Sequence, residues 1–429
     1  MTEAVIADIH CQKNGSLYRA VSDFDGQPVW FETEDIEFDP SAEAFGTLWL
    51  IPCILSKRNL RIEKPVCKTW YENAHQLMNI LCDRWGTEKI KITAETRPTQ
   101  IAAQEAAAVC FSGGVDSFYT LMKSGSPKYL LCAEPFDLPS SFTETFKVGR
   151  QRLERVAEAV GSIPITIRSN IHEHPSFKIH KFLDTHFAIL ACMGHLLAPH
   201  IGSVLVSSSH HKDDPDVDAV HWLLDPLHSS KLLQVCHTHA DTTRRSKVAE
   251  LADWPLAREN LFVCFNKQGA NRNCSRCEKC VRTMLDLHIL GKLESFQIFD
   301  LSRPLWEAMD QVKLLTYPET YQSALSEPLD PRLASGIWRM LRRERERIWG
   351  LEDAALYRRH VDEEFNNMKE GLENALHHYS LLQENYNNLL KDYQESTENR
   401  PLKRGVRAVR HVIRMLRSGR RSRANKTNN

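Results

Sequence analysis

The sequence predicts an α/β protein: a doubly wound, mostly parallel sheet over residues 101–300, with a β-rich module before it (1–100) and a helical, coiled-coil region after it. Three observations lead there. Between Ala106 and Asp300, short apolar runs alternate with helical patterns, the order that builds parallel βαβ units. In the first hundred residues, extended runs are broken by Asn14-Gly15 and Asp25-Gly26, which are hairpin turn pairs. Finally, Val361, Phe365, Met368, Leu372, Ala375, Tyr379, Leu382, Tyr386, Leu389 and Tyr393 recur at steps of four and three, a heptad seam.

Taken in order, strands are expected over 5–9, 17–21 and 28–31, then an amphipathic helix from Tyr71 to Trp85. Ala106 to Phe111 is an apolar strand entering a glycine loop, and Asp116 to Lys123 is a helix closed near Gly125. Tyr129 to Ala133 is the next strand. Ser141 and Glu144 form a capping box for a helix that runs to Val160. Ile163 to Ile167 is a strand, Lys181 to Leu197 a helix, and Ser203 to Val206 a fourth strand; Thr242 to Leu251 and Leu261 to Phe265 add one more helix and strand. A helical extension (301–360), the coiled coil (361–395) and a basic tail (400–429) complete the chain.

A chain of 429 residues is too long for one ordinary core, so two or three domains are expected. Net charge is zero but unevenly placed. Of 55 basic residues, 11 lie between Arg400 and Lys426, where no acidic residue falls; the remaining 44 face 55 acidic ones. An acidic body with a basic arm for a polyanion follows. Met1 to His10 carries Glu3 and Asp8 and no apolar run of signal-peptide type. No stretch reaches the roughly 18–20 apolar residues of a membrane span. Twelve cysteines are too sparse for a disulfide scaffold in a chain this long, and four of them cluster at metal-ligand spacing. A cytoplasmic, reducing location is expected.

The loop Ser112-Gly113-Gly114-Val115-Asp116-Ser117 stands between a buried strand and a helix start. Its glycines let the backbone turn sharply and let an anion approach the amides. The helix N-terminus adds unpaired donors and partial positive charge. Ser112 and Ser117 can donate to phosphate oxygens, while Asp116 calls for a cation such as Mg²⁺ between carboxylate and phosphate. A structural turn capped by Asp116 and Ser117 is the competing reading. The loop lacks the Gly-Lys-Ser/Thr end of a Walker A motif and is not Gly-x-Gly-x-x-Gly.

Cys264, Cys274, Cys277 and Cys280 are spaced C-x₉-C-x₂-C-x₂-C. Four thiolates suit tetrahedral Zn²⁺ in a closed, structural site. An iron–sulfur cluster and a redox pair are the alternatives. Lys267, Arg272, Arg276, Lys279 and Arg282 could temper the negative charge of the centre.

The hexapeptide resembles the signature of the PP-loop ATP pyrophosphatases, also called adenine nucleotide alpha hydrolases, with a HUP-like fold. The resemblance implies that ATP is cut between its α and β phosphates and AMP is transferred to a carboxylate or carbonyl-type oxygen. A nitrogen or sulfur nucleophile then displaces AMP. It implies that Ser112, Gly113, Gly114, Val115, Asp116 and Ser117 hold the pyrophosphate portion and its Mg²⁺, and that the strand around Cys132 faces adenine. Lys247, in Arg244-Arg245-Ser246-Lys247, is the candidate catalytic cation beside Asp116, with Arg244 or Arg245 second. With the cysteine loop following, residues 106–300 resemble the 7-cyano-7-deazaguanine synthases, which make a nitrile from a carboxylate with ATP and ammonia. In place of the usual Tyr-Pro-Asp substrate motif this chain has Ser207 to Asp218, sharing only a Pro-Asp pair.

Twelve of the 19 histidines fall between His172 and His239. His210 and His211, with Asp213 and Asp214, follow the fourth strand where a substrate should sit, and can bind a substrate, relay a proton or take a second metal. The heptads of 361–393 predict a homo-oligomer. The tail, with Val409, Val412, Ile413 and Leu416 on one helical face and arginines on another, suits an anionic membrane surface or nucleic acid. The activity expected is an ATP-dependent carbon–nitrogen ligase acting on a small carboxylate or carbonyl substrate. An RNA sulfur transferase and a non-catalytic nucleotide-binding module are the other readings.

Overall fold

The computed structural model describes residues 2–98, 104–134, 143–180, 182–213, 221–264 and 272–395, with Val409. The chain forms two units, Met1–Arg342 and Arg343–Asn429. In the first, strands β1 (Glu3–Asn14), β2 (Leu17–Phe24) and β3 (Gln27–Thr33) precede helix α1 (Ala42–Leu55). There follow β4 (Asn59–Ile62), β5 (Val66–Cys67), α2 (Lys68–Trp85), β6 (Ile92–Thr93) and β7 (Thr96–Arg97). The alternating part comprises β8 (Ala107–Cys110), α3 (Val115–Lys123), β9 (Tyr129–Ala133), α4 (Thr143–Val160), β10 (Ile163–Ser169), α5 (Pro175–Lys178), α6 (Phe182–Leu196), β11 (Ser203–Ser207) and β12 (Gln234–Thr238). Helices α7 (Arg244–Leu251), α8 (Pro255–Asn260), α9 (Glu278–Ile289), α10 (Leu305–Asp310), α11 (Pro318–Ala324) and α12 (Pro331–Glu395) complete it.

One sheet of ten strands runs β12-β11-β8-β9-β10-β3-β2-β1-β4-β6. The five strands from β12 to β10 are all parallel, the doubly wound half that the alternation predicts. Strands β1 to β3 form an antiparallel meander, turned at Asp25-Gly26 with both residues at positive φ (57° and 80°), as a type I′ hairpin demands. Residues 1–100 and 101–300, read separately in the sequence, thus share one sheet. The join is the antiparallel pair β3–β10, with Phe31 opposite Ser169 and Glu32 opposite Arg168. Glu32 is buried and bridges Arg19 and Arg168, while Asp35 accepts from the Thr166 amide (2.8 Å) and pairs with Arg150 of α4 (2.6 Å).

Three elements differ from expectation. Helix α1 lies in a region read as β-rich. It is buried from Ala42 through Ile54, so its sequence is apolar on every side and shows no helical period. Ser41 caps it, and its one buried carboxylate, Glu43, is held by Arg97 (2.7 Å), Ser41 Oγ (2.9 Å) and the Cys67 amide. Leu261 to Cys264 is not a strand, and Phe265 lies outside the described residues. The Phe262 amide donates to Gly113 O (2.7 Å) and the Val263 amide to Asn273 Oδ1 (2.9 Å), so no ladder forms. The outer strand is instead Gln234–Thr238, whose polar composition conceals it. Ser141 and Lys181 also lie outside the described residues.

Next to β12 is a buried polar group that the sequence did not single out. Asp225 is fully buried, ion-paired to His237 and bonded by the His221 amide (3.2 Å), and His195 Nε2 bonds the His228 carbonyl (2.8 Å). Burial pushes the His228 imidazole down to about 3 from 6.5 and the Asp225 carboxyl up to about 6 from 3.8. Below pH 6.5 the unfolded chain protonates His228 while the folded chain refuses the proton, so that residue costs stability as pH falls from 6.5 toward 3. The raised Asp225 acts oppositely between 6 and 3.8. A His228→Leu variant should therefore gain on wild type as pH drops from 6.5 toward about 5, by up to ~1.4 kcal/mol per pH unit. Urea denaturation at a series of pH values checks this, and a pH-independent difference would refute it.

In the second unit, α12 continues from Arg343 to Glu395 and carries the predicted heptads on one unbroken helix, with Leu382 58 % exposed. The basic tail lies outside the described residues apart from Val409. Among the described residues no helix is long and apolar enough to cross a membrane.

Candidate functional site

Strand β8 ends at Cys110, and the chain turns through Ser112-Gly113-Gly114 into α3. Gly113 takes φ +78°, a conformation that disfavours any side chain there. Ser112 Oγ and Ser117 Oγ lie 3.2 Å apart, and Ser117 Oγ donates to Gly114 O (3.1 Å), closing the loop on itself. Gly114 is the N-cap and offers no side chain to the helix, so the first amides of α3, those of Val115, Asp116 and Ser117, find no acceptor among the described residues.

Helix α7, capped by Thr243, brings two cations to Asp116. Arg244 Nη1 meets its Oδ2 at 3.2 Å and Lys247 Nζ its Oδ1 at 3.1 Å. Lys247 is only 2 % exposed and also donates to Ser208 O (2.6 Å), tethering the segment after β11 to the loop. Burial works to raise the Asp116 carboxyl, but Arg244 and Lys247 outweigh it and hold the group below its usual range. Arg245 points elsewhere, to Asp286 (3.0 Å) and Glu327 (3.1 Å), which leaves Arg244 as the second cation. The Nε of Arg244 is buried without a hydrogen-bond partner among the described residues.

Other residues gathered here carried no sequence signal for the role. Arg282 of α9 stacks on the Tyr317 ring (4.2 Å) and adds to the positive field on Asp116, rather than turning to the cysteines. Tyr317, from the segment just before α11, also lies 5.9 Å from the His210 ring. His211 pairs with Asp213 (3.4 Å) on the same segment, and Asp214 lies outside the described residues. Cys132, at the end of β9, is half-buried beside Cys110, whose thiol burial pushes up to about 12.

The cysteine group forms a compact cluster. Sγ atoms of Cys264 and Cys277 lie 3.9 Å apart, those of Cys274 and Cys280 3.9 Å, and those of Cys277 and Cys280 3.5 Å, with all four within 4.8 Å of one another. A tetrahedral ZnS₄ centre with Zn–S of about 2.3 Å has sulfur–sulfur edges of about 3.8 Å, so the four residues fit a metal ion such as zinc. None of the four forms a disulfide, and amides of Cys274 and Cys277 donate to Cys264 Sγ (3.4 Å) and Cys274 Sγ (3.3 Å), as amides do toward metal-bound sulfur. Of the five cations proposed to temper this centre, Lys267 lies outside the described residues and Arg272 bonds Gln297 O (2.8 Å).

The cluster and the loop are joined by α9. Cys277 is its N-cap and Cys280 lies in its first turn; one turn on, Thr283 Oγ1 accepts from Arg244 Nη2 (3.2 Å), and Asp286 receives Arg245. Arg244, one of the two cations that hold Asp116, is therefore oriented by a helix at whose start two of the cysteines stand. No protein-family model, no curated protein and no solved structure matches the chain.

Proposed function

We propose that the first unit binds ATP at the Ser112–Ser117 loop, adenylates a carboxylate or carbonyl oxygen and passes the activated carbon to ammonia or an amine. The observation that carries this reading is the conjunction at one loop of uncapped helix amides with Arg244 and Lys247 converging on Asp116. The unpartnered Nε of Arg244 supports it further. In the first step an acceptor oxygen attacks the α phosphorus, the bond to the bridging oxygen breaks, and pyrophosphate leaves with that electron pair. Lys247 and Arg244 stabilise the charge that grows there. In the second, nitrogen attacks the activated carbon, AMP departs with the oxygen, and the product is an amide; a nitrile requires the amide oxygen to be activated and lost in turn. Asp116 would hold Mg²⁺, which would supply charge neutralisation at the phosphates.

Self-association through the 361–393 seam is proposed with it, supported by the exposure of Leu382, and contact of the 400–429 tail with an anionic membrane surface or nucleic acid. The test of the enzymatic reading is pyrophosphate release from ATP, with ammonia, across a panel of small carboxylates. Acceptor-dependent release is the expected result. Metal-loaded protein without affinity for ATP, AMP or pyrophosphate at millimolar concentration would refute it.

A further inference from the structure

Beside the loop at Gly113, on α4, is a cation with no counter-ion among the described residues. Arg152 of α4 is only 9 % exposed, yet no carboxylate pairs with it and no hydrogen-bond acceptor meets its guanidinium among the described residues. Its Cζ lies 3.9 Å from the centre of the Phe262 ring, and its Cδ lies 3.7 Å from where a side chain on Gly113 would begin. Phe262 is itself bonded to Gly113 through its amide. Burial and the neighbouring Arg155 hold the guanidinium down to about 10, as expected of a largely buried cation without an anion. The neighbouring arginine Arg150 by contrast has Asp35 and Glu154. A buried arginine without a partner costs stability, and a flat aromatic ring preserves its direction without neutralising it. The bare glycine beside it leaves room for an anion to approach.

We propose that Arg152 binds the α-phosphate of the nucleotide, completing from α4 the cationic ring that Arg244 and Lys247 begin from α7. This rests on the nucleotide reading above. That reading puts pyrophosphate on the α3 amides, Arg244 and Lys247; Arg152 borders the same loop at Gly113 and shares no partner with those two cations, which leaves it the remaining phosphate, the α-phosphate.

The experiment is calorimetric titration of full-length, zinc-loaded wild-type, Arg152→Met and Arg152→Lys proteins with ATP, AMP and pyrophosphate, alongside thermal melting without ligand. The Met variant is expected to bind AMP and ATP about tenfold or more weaker while keeping its affinity for pyrophosphate. Its unliganded melting temperature should stay level or rise, because an uncompensated buried charge has been removed. The Lys variant should recover part of the AMP affinity. Wild-type affinities in the Met variant would overturn the inference and leave the nucleotide reading standing. Equal weakening for pyrophosphate would overturn the α-phosphate assignment, and a lowered melting temperature with loss of all three ligands would make Arg152 a structural residue. Wild-type protein that binds none of the three removes the underlying reading, and this inference with it.

Discussion

On the nucleotide reading proposed above, Asp116→Asn is expected to lower pyrophosphate release from ATP by at least about 100-fold while leaving the metal content of the cysteine cluster unchanged. Asparagine keeps the shape and one acceptor, so Lys247 or Arg244 can still bond it, but the charge that holds both cations in place is gone. Lys247, 2 % exposed, then has only the Ser208 carbonyl. Breaking such a pair costs up to about 3 kcal/mol, moderated because Asp116 is itself 22 % exposed, so the assay belongs well below the melting temperature. Zinc is the internal control. No bond joins the cysteines to Asp116 among the described residues, so simultaneous loss of metal and activity would mean that the glycine loop is a structural turn.

Removing the metal should have the larger effect on stability. Chelation leaves four thiolates crowded within 4.8 Å of one another, and Cys277→Ser leaves three and removes the ligand at the start of α9. Structural zinc contributes on the order of 10 kcal/mol in small metal-dependent folds, comparable with the net stability of a whole domain. A fall of at least about 10 °C in melting temperature is expected. ATP affinity should fall as well, because Thr283 and Asp286 would no longer orient Arg244 and Arg245. Melting and nucleotide titration on apo and zinc-reconstituted protein check both parts. Unchanged melting on metal removal would refute a structural role for the cluster, and restoration by ferrous iron with sulfide but not by zinc would favour a cluster of another kind.

Where the sequence was readable, one local rule decided the outcome. The five-residue run Tyr129–Ala133 sits in the interior of a parallel sheet, and its apolar content states as much. The glycine loop and the x₂ cysteine spacings are equally local, since a turn or a thiolate pair is built within a few residues. What failed was tertiary. Helix α1 shows no period because it has no solvent face. Leu261–Cys264 has a strand's composition but spends its amides on Gly113 and Asn273. Arg150, Arg152 and Arg155 follow one another on α4, and nothing in that order says that the first finds a carboxylate and the second a phenyl ring. Arg282 was assigned to the cysteines by proximity in sequence, whereas a helix carries it one turn onward to Tyr317.

The β3–β10 pairing has a practical consequence for anyone shortening this protein. A fragment beginning near residue 101 would strip β10 of its neighbour at Arg168 and Ser169 and take Asp35 from the Thr166 amide, leaving that edge unpaired. It would also strand Arg168 and Arg150 without Glu32 and Asp35. Such an edge recruits other chains. The parallel half of the sheet, cut out alone, is therefore the piece most prone to precipitate, and the first hundred residues are its cover.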